Sequence, residues 1–139
     1  MQVRFLEHPT DLRMQAWGKD QGELFLQSAL GMLSKLAPLR RPGDYQSRQT
    51  KPIELSAPTV EELFVAWLNE ILYQFYSKEF YIAGAKFVAV TPDKISGTIE
   101  GWPISQVKLH KGLEVKGVTY HGLRITRDPR WEVEVILDV

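Results

Sequence analysis

The 139-residue chain has no cysteine. That removes disulfides, thiolate zinc sites, iron–sulfur ligation and a cysteine nucleophile from consideration. It also has no net charge, because 17 Lys and Arg balance 17 Asp and Glu. No overall field therefore gathers nucleic acid or membrane nonspecifically. No apolar run approaches the ~20 residues of a membrane span, and the start MQVRFLEHPT lacks the apolar centre of a signal peptide. The catalytic signatures GxSxG, GxxxxGK(S/T), GxGxxG and HExxH are all missing, so nothing looks like a nucleotide-processing centre. Internal repeats and low-complexity tracts are absent too. These absences predict a cytoplasmic protein with one domain over residues 1–139.

What is present fits that expectation. The chain is 44% hydrophobic and 24% charged, as in ordinary globular proteins. A chain of this length buries about two-thirds of its unfolded surface, so a core forms without staples. One composition shift lies at 38–52 (PLRRPGDYQSRQTKP), which carries Arg40, Arg41, Arg48 and Lys51 against a single acid, Asp44. It reads as a connection between two helices that includes the start of a strand.

The first helix starts at Asp20, with Glu23 at capping-box spacing. Phe25, Ala29, Met32, Leu33 and Leu36 follow on one face, and Pro38 ends the pattern. The second starts at Thr59, with Glu62. Val60, Leu63, Phe64, Trp67, Leu68, Ile71, Leu72 and Phe75 recur over four turns as a core stripe. Elsewhere apolar residues alternate with period two: Leu12, Met14 and Ala16; Ile53 and Leu55; Ala83, Ala85, Phe87 and Ala89; Ile95 and Ile99; Val115, Leu123 and Ile125; Trp131, Val133, Val135 and Leu137. Thr91-Pro92-Asp93 and Asp128-Pro129 read as turns, and Gly97 and Gly101 as bulges or close-contact points within strands. Segregated helices and strands predict an α+β domain, two helices packed on one face of a mostly antiparallel sheet.

Few residues offer chemistry. His8, His110 and His121 lack ligand spacing. His121 sits in Thr119-Tyr120-His121-Gly122, which reads as a tight turn or a bulge. The carboxylates say more. The last strand turns Trp131, Val133, Val135 and Leu137 inward, which puts Glu132, Glu134, Ile136 and Asp138 on the other face. Val139 follows with a terminal carboxylate. If that strand lies beside the N-terminal segment, Asp11, Asp138 and the terminus meet. Clustered carboxylates repel unless a cation or proton intervenes, and oxygen-only donors favour Ca²⁺ or Mg²⁺. The alternative is two solvated strand-end aspartates. Lys108, Lys111, Lys116, Arg124 and Arg127 could touch RNA, but neutral net charge and the interspersed Glu114 favour a solvated sheet face.

Four segments together carry a resemblance to a known family. Glu7-His8-Pro9-Thr10-Asp11-Leu12 with Ala16-Trp17-Gly18 resembles the EHTADV…AxG opening of the archease family. Leu63 to Leu72 (LFVAWLNEIL) resembles its LL…WLNELL helix, Glu114 to Leu123 (EVKGVTYHGL) its EVKAVTYHGL, and Val135 to Val139 (VILDV) its VIxDI ending. The resemblance implies a small α+β accessory protein of the RNA-splicing ligase, which joins a 2′,3′-cyclic-phosphate or 3′-phosphate RNA end to a 5′-hydroxyl end. The accessory protein promotes ligase guanylylation and multiple turnover in tRNA splicing and is not itself the enzyme. The resemblance further implies a divalent metal, typically calcium, held by Asp11, Asp138 and Val139. RNA would be met only indirectly or weakly. Two departures stand out: the family's His-Thr-Ala-Asp is here His8-Pro9-Thr10-Asp11, and Thr59 stands where relatives often carry aspartate. Two other function classes remain open. One is a chaperone-like binding module for RNA-modifying enzymes. The other is an independent metal-dependent hydrolase using Asp11, Asp138 and His110 or His121.

Overall fold

The two helices begin where their caps require. The computed structural model describes residues 2–7, 10–41 and 45–139. The Asp20 carboxylate accepts the Glu23 amide at 2.8 Å, and the Thr59 hydroxyl oxygen accepts that of Glu62 at 3.2 Å. Each side chain satisfies one of the orphan amides of a first turn. Helix α1 runs Gln21–Leu36 and α2 runs Val60–Tyr76. The apolar stripes read from the sequence are buried in both, with Phe75 half-buried at the end of α2.

Among the described residues seven strands complete an α+β fold: β1 Val3–Glu7, β2 Asp11–Gly18, β3 Gln49–Ser56, β4 Phe80–Thr91, β5 Lys94–Pro103, β6 Gly117–Thr126 and β7 Trp131–Asp138. Every pairing is antiparallel. The strands form two sheets, ordered β1-β2-β7-β6 and β3-β5-β4. Helix α1 packs on β2 and β4, and α2 on β6 and β4, so both helices touch both sheets.

The core therefore gathers around the helices. Trp67 is fully buried, and its indole nitrogen donates to the Phe25 carbonyl of α1 at 2.7 Å. Its ring meets Phe87 of β4 edge-on at 5.4 Å, and Phe25 meets Phe64 at the same spacing. Leu12, Met14 and Ala16 face inward from β2, beside Val133, Val135 and Leu137 of β7. Among the described residues no helix is long and apolar enough to cross a membrane.

Two strands depart from simple alternation. In β4 the register shifts between Ile82 and Gly84 and again between Phe87 and Ala89, so Ala83 and Val88 are extra residues. Val88 is 88% exposed and Ala89 is exposed, whereas alternation placed Ala89 on the apolar face. In β6, Thr119 pairs with Ile136 and Arg124 with Glu134, so Tyr120 to Leu123 bulge opposite Val135 alone. Gly122 at φ 70° supplies the left-handed backbone this bulge needs.

Candidate metal centre

The sheet order places β7 between β2 and β6. Asp11 opens β2, Asp138 closes β7, and the two are cross-strand partners in the register. Directly opposed residues of an antiparallel pair share a face, with Cβ atoms about 4.5–5.5 Å apart. Gly117, the first residue of β6, flanks Asp138 on its other side, and the Lys116 amide donates to the Asp138 carbonyl at 2.7 Å. Three strand ends thus meet around the two carboxylates.

Asp11 is half-buried and Asp138 is exposed to solvent. Arg13, next on the same face, bonds Glu134 at 3.3 Å, and Arg124 reaches Glu134 from β6 at 3.2 Å. Among the described residues neither Asp11 nor Asp138 has an ion-pair partner. Among the described residues two buried side-chain oxygens there lack any hydrogen bond: Asp11 Oδ1 and Thr119 Oγ1. Both sit in this sheet on the face of Asp138 and Ile136. A buried carboxylate oxygen without a partner is costly, and a facing carboxylate adds repulsion. A hard cation answers both demands, so the residues present fit such an ion.

The donor set is a pair and not a cluster. Among the described residues no three His, Asp or Glu side chains gather in a way that could hold a metal. A cation at this pair would need further oxygen donors, such as main-chain carbonyls or water, with Val139 the adjacent candidate. The Val139 side chain is half-buried against the core, which anchors the residue. His110 and His121 are exposed and join no such cluster with the aspartates. His8 and Pro9 lie outside the described residues. Thr59 caps α2, and its structural task is accounted for by that bond.

Comparison with known proteins places the chain. The model of the Archease protein family (MTH1598/TM1083) matches residues 4–139. The "Protein archease-like" of Drosophila melanogaster is 31% identical, covering 100% of this chain and 91% of that protein. The "Protein archease" of Methanosarcina barkeri is 29% identical, covering 99% and 96%. The solution structure of Methanobacterium thermoautotrophicum protein 1598 superposes with a TM-score of 0.68 at 22% identity, covering 99% of each chain. A Thermotoga maritima crystal structure, described as "an archease, possible chaperone", gives 0.66 at 20% identity over 96% of this chain and 94% of that one. The match runs through both sheets and both helices, and the chain belongs to the archease protein family.

Proposed function

We propose that this protein is a cytoplasmic accessory factor of the RNA-splicing ligase, promoting its guanylylation and turnover in tRNA splicing. It holds a divalent cation, Ca²⁺ by its all-oxygen donor set, through Asp11, Asp138 and the carboxylate of Val139. Family membership supports the ligase reading. The observation that carries the metal reading is the buried, unpartnered oxygen of Asp11 set opposite a second aspartate. When bound, the ion neutralises the facing carboxylates and offers a positive centre to a phosphoryl oxygen. The chain's own residues do the positioning. The β2–β7 register fixes the distance between the two aspartates, and the Lys116 amide pins the main chain of Asp138.

Two measurements test this. In ligase guanylylation assays, Asp11→Asn and Asp138→Asn should each reduce stimulation at least tenfold while the circular dichroism spectrum stays that of the parent. Undiminished stimulation by both would remove the site from the mechanism. Ligase capture without stimulation would move the reading to a binding module.

The second measurement needs no ligase. Ca²⁺ at a hundredfold excess over its Kd should raise Tm by about 10 °C relative to chelator. Asp138→Asn should abolish that rise. In chelator the same variant should melt at or slightly above the parent, because opposed like charges cost about 0.2–1 kcal/mol. A parent Tm indifferent to divalent ions overturns the cation.

A further inference from the structure

The basic residues of this neutral chain do not remain where the sequence groups them. Of the cluster at 38–52, Arg48 lies over Trp102 and is ion-paired with Glu100 at 3.8 Å, while Lys51 donates to Gln74 and covers Phe80. Both are consumed by internal contacts. Arg40 and Arg41 are exposed and form no ion pair among the described residues.

Instead the fold brings them two distant lysines. Leu39 bridges Leu109 in antiparallel fashion. The Arg40 amide donates to the Lys108 carbonyl at 2.8 Å, and the His110 amide to the Pro38 carbonyl at 2.7 Å. With Leu39 and Leu109 both packed on the core, Arg40 stands directly opposite Lys108 on the outer face. Tyr45 locks this arrangement: its hydroxyl donates to the Arg40 carbonyl and accepts the Lys108 amide. Lys111 follows within the same short segment, also exposed and without an ion pair among the described residues. Like charges set opposite one another destabilise a bridge unless an anion intervenes.

Beside this basic rim lies a cleft of about 370 Å³, walled by Phe75, Tyr76, Leu109, His110 and Lys111, with one acid, Glu114, at its edge. The Tyr76 ring is 47% exposed, and its hydroxyl donates to the Val115 carbonyl at 3.0 Å, which holds the ring in place. Lys111 lines this cleft, and the Arg40–Lys108 pair with Arg41 beyond it extends the positive charge away along the bridge; a row of cations leading to a fixed exposed ring has the elements of a single-strand binding surface. A purely acidic polypeptide such as polyglutamate would satisfy the charges but brings no aromatic ring to stack on Tyr76.

We propose that Arg40, Arg41, Lys108 and Lys111, with the Tyr76 cleft, form a docking surface for single-stranded RNA. The choice of RNA over other polyanions rests on the exposed ring and on the ligase reading above; the charge geometry stands without that reading. Tyr76 bonds Val115, one residue before the Lys116 amide that holds Asp138, so the two proposals are separated by their variants: the cation substitutions leave Asp11 and Asp138 untouched.

The test is fluorescence anisotropy of a labelled oligouridylate with the isolated full chain, over a range of salt. Four phosphate contacts give a log–log salt slope of about 3, so affinity should fall about fiftyfold between 50 and 200 mM salt. The double variants R40Q/R41Q and K108Q/K111Q should each roughly halve that slope. Tyr76→Leu should weaken binding about tenfold, and Tyr76→Phe should restore it, since stacking needs only the ring. Arg127→Gln, whose guanidinium stacks on Trp131 elsewhere in the fold, should change nothing. Unaltered binding by the quadruple variant, no measurable binding at 50 mM salt, or equal competition by polyglutamate would overturn the proposal. Retained RNA binding alongside failed ligase stimulation would overturn the ligase reading alone.

Discussion

Trp67→Ala should lower the unfolding free energy by about 4 kcal/mol, a large share of the 5–15 kcal/mol typical of a domain. The residue is fully buried where the layers meet. Its ring touches Phe87 of one sheet, and its indole nitrogen bonds the Phe25 carbonyl of the neighbouring helix. Truncation leaves a ring-sized void that the packed neighbours close poorly, and it also deletes the hydrogen bond between the helices. Trp67→Phe keeps much of the volume and should cost about half as much. Tyr73→Ala, on the exposed side of the same helix, should fall within about 0.5 kcal/mol of the parent. Urea unfolding at constant m-value measures all three. A Trp67→Ala midpoint equal to the parent's would mean the layers are not joined there.

Gly101→Ala should cost about 3 kcal/mol, the upper end of overpacking. Gly101 lies in β5, the central strand of its sheet, opposite Ile82 of β4 and Gln49 of β3. An added Cβ would stand 1.9 Å from the Tyr81 carbonyl oxygen and 3.0 Å from Ile82 Cα. Both are main-chain atoms of a paired strand, so no side-chain rotation relieves the clash. Gly117→Ala is the contrasting case. Nothing lies within 4 Å of its added carbon, and lower entropy of the unfolded chain should make it neutral or stabilising by up to about 1 kcal/mol. Equal melting temperatures for the two variants would refute this steric account.

The caps and helical stripes were legible because they are local. Asp20 with Glu23, Thr59 with Glu62, and the run from Val60 to Leu72 need only spacing to be read. The β4 face was misread because an extra residue reverses which side every later position occupies. Val88 does this, and it sends Ala89 to solvent. The division of the strands into two sheets was hidden, since alternation reports which face is buried and not which strand is adjacent. For the same reason Asp11 and Asp138 could be named as candidates, but their shared register is a property of pairing. Lys108 and Lys111 were grouped with Arg124 and Arg127 along the chain. The fold separates these sets, giving Arg124 to Glu134 and Arg127 to Trp131.

The β2–β7 ladder joins residues more than a hundred positions apart in the chain, from Gly18 with Trp131 to Asp11 with Asp138. During ribosomal synthesis β2 emerges first and must wait for β7, at about 5–20 residues per second. Throughout that interval one edge of β2 is open, and the inward side chains Leu12, Met14 and Ala16 lack the Val133, Val135 and Leu137 that cover them in the finished molecule. Such long-range closure slows folding and leaves a nascent chain exposed to aggregation. Production of this protein should therefore depend more on holdase chaperones and low growth temperature than its modest size suggests.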